Sequence, residues 1–121
     1  MTKKILIVDD SSSLRQVVRI ALETAGYEVD EAEDGKVGLS RLKSGTYNLI
    51  LSDVNMPVMD GITFVTELKK LPQYKFAPVI MLTTEAEASK KAEGKAAGAK
   101  AWVVKPFKPD VIINAVNKLV M

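Results

Sequence analysis

Four short apolar runs punctuate the chain, at residues 5–8, 49–51, 79–82 and 101–104. Runs of this length without alternation are the pattern of strands covered on both faces. Residues 28–32 instead alternate polar and apolar, which predicts a more exposed edge strand. Between these runs the period becomes helical. Leu14, Val17, Val18, Ala21, Leu22 and Ala25 recur at helical spacing, with Ser11, Ser12 and Ser13 available as N-caps and Gly26 as a stop. Asp34-Gly35 opens a short helix to about Lys43, held by Val37, Leu39 and Leu42 and weakened by Gly35, Gly38 and Ser40. After Gly61, Phe64, Val65, Leu68 and Leu71 mark one face of a helix that stops before Pro72. Residues 86–97 carry a thinner helical pattern. Its inward candidates are Ala88, Ala92 and Ala96, Gly94 interrupts it, and Lys90, Lys91 and Lys95 cover the outside, so little apolar area holds it down. Gly98 ends it, and Pro109 and Asp110 start a last helix reaching about Leu119.

Strand and helix therefore alternate five times, which predicts an α/β fold with a five-stranded parallel sheet and helices on both faces. Right-handed crossovers and short loops favour a doubly wound, flavodoxin-like sheet of order 2-1-3-4-5, with ligands bound beyond the carboxyl ends of the strands. No internal repeat, linker or low-complexity segment is left over, and residues 1–121 are expected to be one domain.

Composition narrows the chemistry. With 17 Lys and Arg against 15 Asp and Glu the net charge is +2, so no strong field for nucleic acid or an anionic membrane arises. The chain has no cysteine and no histidine, which removes disulfides, thiolate nucleophiles, the usual zinc sites and any histidine base. No apolar run approaches the roughly 20 residues of a membrane span, and Met1-Thr-Lys-Lys4 leads straight into a strand. A cytoplasmic protein without membrane or nucleic-acid partners is expected.

The buried runs end on polar residues. Asp53 by itself is equally a turn residue before Met56-Pro57 and Asp60-Gly61 or the floor of a site. The other strand ends change that balance. In the order 2-1-3-4-5 the first, third, fourth and fifth strands are neighbours, so Asp9-Asp10, Asp53, Thr83 and Lys105 would converge on one cleft. Packed carboxylates repel unless cations neutralise them. Lys105 supplies one charge, and a divalent cation would complete the balance. The ligands on offer are oxygens, which points to a hard cation, and Mg2+ accepts few protein ligands plus several waters. Magnesium suggests phosphate chemistry, with Asp53 as a nucleophile that forms an aspartyl phosphate. Lys105 and the metal would stabilise the transferring group, and the Thr83 hydroxyl could bond a phosphoryl oxygen.

Together Ile5-Leu-Ile-Val-Asp-Asp10, Asp53-Val-Asn-Met-Pro-Val-Met-Asp-Gly61, Met81-Leu-Thr-Thr84 and Val103-Val-Lys-Pro-Phe107 resemble the receiver domain of two-component response regulators. The resemblance runs from about Lys3 to Leu119, and Asn55 with no segment left for an output domain makes the chain look most like stand-alone chemotaxis regulators of the CheY type. It implies a phosphorylation-activated signalling switch rather than an enzyme acting on external substrates. Asp53 would take its phosphoryl group from a phosphohistidine on a histidine kinase. Asp10 and Asp53 would bind Mg2+ directly, with the Asn55 backbone carbonyl as a further ligand and Asp9 acting mainly through water. Lys105 would pair with Asp53 or its phosphoryl group, and the Lys105-Pro106 bond would be cis. Trp102 stands where the family places a switch aromatic, commonly Tyr or Phe. Thr83 and Trp102 would relay the charge change to the last two helices and the strand between them. A downstream protein, in chemotaxis the flagellar motor switch, would dock there, and the protein itself would be a monomer.

Some positions keep two readings. Trp102 is otherwise a half-buried strand aromatic. Ser11 follows the acid pair where chemotaxis regulators often carry an aromatic, and the three serines are either caps or a phosphate cradle as in flavodoxins. Thr84, Glu85 and Asn55 are expected to set how fast water reaches the acyl phosphate. The last helix spreads Val111, Ile112, Ile113, Ala115, Val116, Leu119 and Val120 over about 200°, wider than the roughly 100° of one buried stripe, so part of it is expected to meet a partner. The rival functions are a stand-alone phosphorelay receiver, a flavin-binding electron carrier and a Mg2+-dependent phosphohydrolase of haloacid-dehalogenase type. The hydrolase normally has a second Asp two residues after its nucleophile, where this chain has Asn55.

Overall fold

Each apolar run becomes a strand. In the computed structural model, which describes residues 2–84 and 90–120, β1 (Lys4–Val8), β2 (Glu28–Ala32), β3 (Leu49–Asp53), β4 (Val79–Thr83) and β5 (Ala101–Val104) form one parallel sheet of order β2-β1-β3-β4-β5. The crossovers are α1 (Ser12–Thr24), α2 (Gly35–Ser44), α3 (Gly61–Leu68) and α4 (Lys91–Ala97), and α5 (Pro109–Leu119) follows the last strand. The expected α/β, doubly wound architecture is therefore the one observed.

Alternation along the strands divides the core into two layers. Leu6, Val8, Ile50, Val79 and Met81 point to one face and pack with Leu42, Phe64, Val65, Leu68 and Tyr74. Ile5, Ile7, Leu49, Leu51, Ile80, Leu82 and Val103 point to the other, where α1 supplies Val18 and Leu22 and α5 supplies Ile112 and Val116. Burying each of the larger side chains contributes about 1.5–3 kcal/mol, so the strands cannot shift by one residue without exchanging the layers.

The helices start where their caps stand. The side chains of Ser11, Asp34 and Asp60 accept the N–H groups of Leu14, Val37 and Thr63 at 3.2, 2.9 and 2.8 Å. Ser11 thus acts as the cap, which favours that role for the serine run over a phosphate cradle.

Three sequence expectations are corrected. The α3 helix ends at Leu68 rather than Leu71, because Pro72 forces Leu71 into extended geometry (φ −77°, ψ 121°) and the chain tightens into a short 3-10 turn at Pro72–Tyr74. Val17 and Ala25 lie outside the inward stripe of α1; Val17 is 52% exposed, since Leu14, Val18 and Leu22 already fill the face toward the sheet. In α4 the inward positions are Gly94 and Ala97, while Ala92 and Ala96 are exposed. The indole of Trp102 selects that face: a Cβ on Gly94 would stand 2.2 Å from Trp102 Cη2 and 2.5 Å from Cζ2. Ala88 and the start of that predicted helix lie outside the described residues. On α5, Val111 is the exposed member of the wide apolar band, and the other six pack against the second layer.

Candidate active site: a carboxylate cluster at the strand ends

The register of the sheet assembles the site. Val8 pairs with Ser52, Asp53 with Leu82, and Thr83 with Val104, so Asp9, Asp53, Thr83 and Lys105 each stand at or one residue beyond a paired row. All the sequence-predicted acids come together: one carboxylate oxygen from each of Asp9, Asp10 and Asp53 lies within 4.8 Å of the others.

Their surroundings differ. Asp9 is fully buried, and its two oxygens are already engaged, Oδ1 by the Ser11 N–H at 2.8 Å and Oδ2 by Lys105 Nζ at 3.1 Å. Asp53, 5% exposed, places Oδ1 3.2 Å from the same ammonium. Asp10 is exposed at the rim. Lys105 therefore bridges two acids, whereas the sequence suggested Asp53 alone. Burial works to lower the Lys105 pKa, but the charges of Asp9 and Asp53 and their hydrogen bonds outweigh it and hold the ammonium above the usual lysine range.

The backbone fixes this arrangement. The Lys105 N–H donates to the Thr83 carbonyl at 2.6 Å, and the Lys105-Pro106 peptide is cis as expected. The Thr83 side chain is buried and donates to the Thr84 carbonyl at 3.1 Å. Beneath Asp53, the Gly61 N–H donates to the Val54 carbonyl at 2.7 Å. A Cβ on Gly61 would sit 2.0 Å from the Asp53 carbonyl oxygen, so the start of α3 packs directly on the floor of the site. Between them, exposed Val58 adopts a positive φ of 69°, an uncommon conformation for a β-branched residue. Asn55 is exposed in the same loop, and Thr84 is exposed at the end of β4. Glu85 lies outside the described residues. Trp102 is half-buried and packs against the first core layer beside Gly94.

Sequence reasoning missed Arg15. Its Nη1 donates to the Asp9 backbone carbonyl at 2.5 Å, and its Nε donates to Glu31 Oε1 at 2.9 Å. The only signal was an arginine one turn into the helix that follows the acid pair.

The donor set fits a small hard dication. Among the described residues three carboxylates face a single ammonium, all donors are oxygens, and Asp10 is exposed on a side open to water ligands. Asp10, Asp53 and the nearby backbone could hold such an ion, with Asp9 behind them.

Residues 5–117 match the response regulator receiver domain family. The chemotaxis response regulator CheY4 of Vibrio cholerae is 47% identical, with a TM-score of 0.94 over 99% of this chain and 100% of that one. TrrA of Thermotoga maritima, a response regulator solved in complex with Mg(2+)-BeF, is 35% identical, with a TM-score of 0.87 over 98% and 100% of the two chains. The transcriptional regulatory protein ResD of Bacillus subtilis is 37% identical over 116 residues, which are 96% of this chain and 47% of ResD. The chain spans about half the length of the curated relatives it matches. No helix among the described residues is long and apolar enough to cross a membrane. The sheet order, the acid cluster at its carboxyl edge and a family match over nearly the whole length lead to one conclusion: the chain belongs to the response regulator receiver domains of two-component signalling systems.

Proposed function

We propose that this chain is a phosphorylation-controlled switch in which Asp53 accepts a phosphoryl group from a histidine kinase. The observation that carries the reading is the convergence of Asp9, Asp10 and Asp53 within 4.8 Å, with Lys105 bridging Asp9 and Asp53. Asp10, Asp53 and the Asn55 backbone carbonyl would hold Mg2+, with Asp9 acting through water. When bound, the ion supplies positive charge to the phosphoryl oxygens. An Asp53 carboxylate oxygen would bond to phosphorus as the phosphorus–nitrogen bond to the kinase imidazole breaks, and the nitrogen keeps the electron pair. Lys105, held charged, would follow the new oxygens. The acyl phosphate carries about two negative charges where the carboxylate carried one.

That change would draw the Thr83 hydroxyl from the Thr84 carbonyl toward a phosphoryl oxygen and let Trp102 turn, remodelling the surface of α4, β5 and α5 for a downstream protein. We place this monomeric switch in the cytoplasm. The likeness to CheY4 supports a chemotaxis pathway, whereas the curated relatives are transcriptional regulatory proteins. The flagellar motor switch is for that reason not carried forward as the output.

The test is incubation with Mg2+ and acetyl phosphate or phosphoramidate. The expected result is a gain of one phosphate that Asp53→Asn abolishes and hydroxylamine removes. Turnover of many phosphoester equivalents would favour a phosphohydrolase instead, and no phosphate gain would defeat the proposal.

A further inference from the structure

Asp10 is the exposed acid of the cluster, and its carboxylate makes no hydrogen bond or ion pair among the described residues. The direction in which its side chain leaves the chain is therefore set by the backbone that carries it. The Asp9 N–H is tied to the Ala32 carbonyl at 3.1 Å, which anchors one side of Asp9 to β2. The Asp9 carbonyl, part of the peptide that leads into Asp10, lies beyond the last β1–β3 pair at Val8 and Ser52, and Arg15 Nη1 donates to it at 2.5 Å. Together with the bond from the Ser11 N–H to Asp9 Oδ1 at 2.8 Å, it holds the backbone on both sides of Asp10.

Arg15 is itself braced. Its Nε bonds Glu31 Oε1 at 2.9 Å, and the other oxygen of Glu31 accepts Arg19 Nη1 at 2.8 Å. The Arg15 side chain is only 16% exposed. A planar guanidinium holds two acceptors in a rigid fork, whereas an ammonium that bonds two acceptors rotates on a flexible stem. The brace thus runs from the edge strand β2 through Arg15 to the peptide that aims Asp10.

We infer that Arg15, braced by Glu31, is a positioning residue that sets the direction of the Asp10 carboxylate and thereby the cation affinity of the cluster. This rests on the reading that the cluster binds Mg2+. Partners that orient a metal ligand without touching the metal typically govern affinity by about 10–100-fold.

The test has a metal arm and a metal-free arm on the full chain. Calorimetric titration with Mg2+ should show Arg15→Ala binding at least about tenfold more weakly than wild type. Arg15→Lys should recover only part of that loss, and Glu31→Gln should fall between wild type and Arg15→Ala. Arg41→Ala, at a residue that lines a surface pocket with Arg15 and Glu31, should stay within about twofold. In the metal-free protein, Arg15→Ala should shift the amide resonances of Asp10 and Ser11, and Arg41→Ala should leave them in place. If Arg15→Ala unfolds, Arg15→Lys and Glu31→Gln carry both arms. Unchanged Mg2+ affinity in a folded Arg15 variant, or unmoved Asp10 and Ser11 resonances, overturns the inference. A wild-type protein that binds no Mg2+ overturns the metal reading instead, and the metal-free resonances then decide the positioning role alone.

Discussion

Replacing Gly61 with alanine tests whether the floor of the site depends on close backbone approach. The added Cβ would meet the Asp53 carbonyl oxygen at 2.0 Å, Val54 Cα at 2.8 Å and the Asp53 carbonyl carbon at 2.9 Å. A carbon and a carbonyl oxygen in tolerated contact stand about 3.3 Å apart or more, so over 1 Å must be recovered. All three atoms are backbone, and no rotamer change relieves them. The start of α3 must back away from β3, which also stretches the 2.7 Å bond from the Gly61 N–H to the Val54 carbonyl. Overpacking costs about 1–3 kcal/mol, and the lost bond about 0.5–1.5 kcal/mol. Alanine in place of glycine near a helix start returns up to about 1 kcal/mol. Taken at their midpoints these combine to a loss of about 2.5 kcal/mol out of a typical 5–15 kcal/mol. At a urea m-value of about 2 kcal/mol/M the unfolding midpoint should fall by about 1.2 M. The phosphorylation rate of Asp53 should fall with it, since the Asp53 peptide is what moves. A midpoint within about 0.2 M of wild type would show that the helix start yields without cost, and would refute the argument.

Other expectations follow from the same geometry. Gly94→Ala would place a Cβ 2.2 Å from Trp102 Cη2, so the indole must leave its seat; emission should shift to the red and acrylamide quenching should rise, and unchanged emission would contradict the packing. The Glu31 carboxyl is held below its ordinary range by its bond to Arg19, opposed by burial and reinforced by Arg15, so its contribution is present above the unfolded value near 4.5 and lost as pH falls through the lower folded value. Glu31→Gln should therefore flatten the acid side of a urea-midpoint profile below about pH 4.5, and a profile parallel to wild type would speak against the brace. Asp10→Asn should raise the metal-free midpoint slightly by relieving carboxylate repulsion. The same change should abolish the Mg2+-dependent gain, which at ten times Kd is about 1.4 kcal/mol in wild type and is reversed by EDTA. A full Mg2+ response in that variant would exclude Asp10 as a ligand.

Much of this was legible because parallel strands buried on both faces announce themselves as unbroken apolar runs, and their ends set the rows of the site. Asp53 and Lys105 could be placed in one cleft from strand order alone. The Lys105–Asp9 contact could not, since both acids lie within reach of a long flexible side chain and only packing chooses between them. Arg15 is one base among 17, and its partner is a backbone carbonyl that has no identity in the sequence. Gly94 read as an interruption of a weak helix. A thin alanine pattern fits more than one face, and the indole of a later strand decides which face turns inward. The early end of α3 reflects Pro72 acting one residue upstream on Leu71, a local rule that the apolar spacing overrode in the reading.

Strand β5 has four residues against five in each of the others, and it pairs on one side only. Consecutive positions along it serve different masters: Trp102 packs into one layer, Val103 into the other, and Lys105 follows into the acids. A slip by a single residue would carry Lys105 about 3.3 Å along the strand, as far as the whole length of its contacts with Asp9 and Asp53. The tolerance of the chemistry is thus set at the margin of the sheet, by a four-residue strand paired on one side. Mutations that loosen this edge should damage signalling before they damage folding.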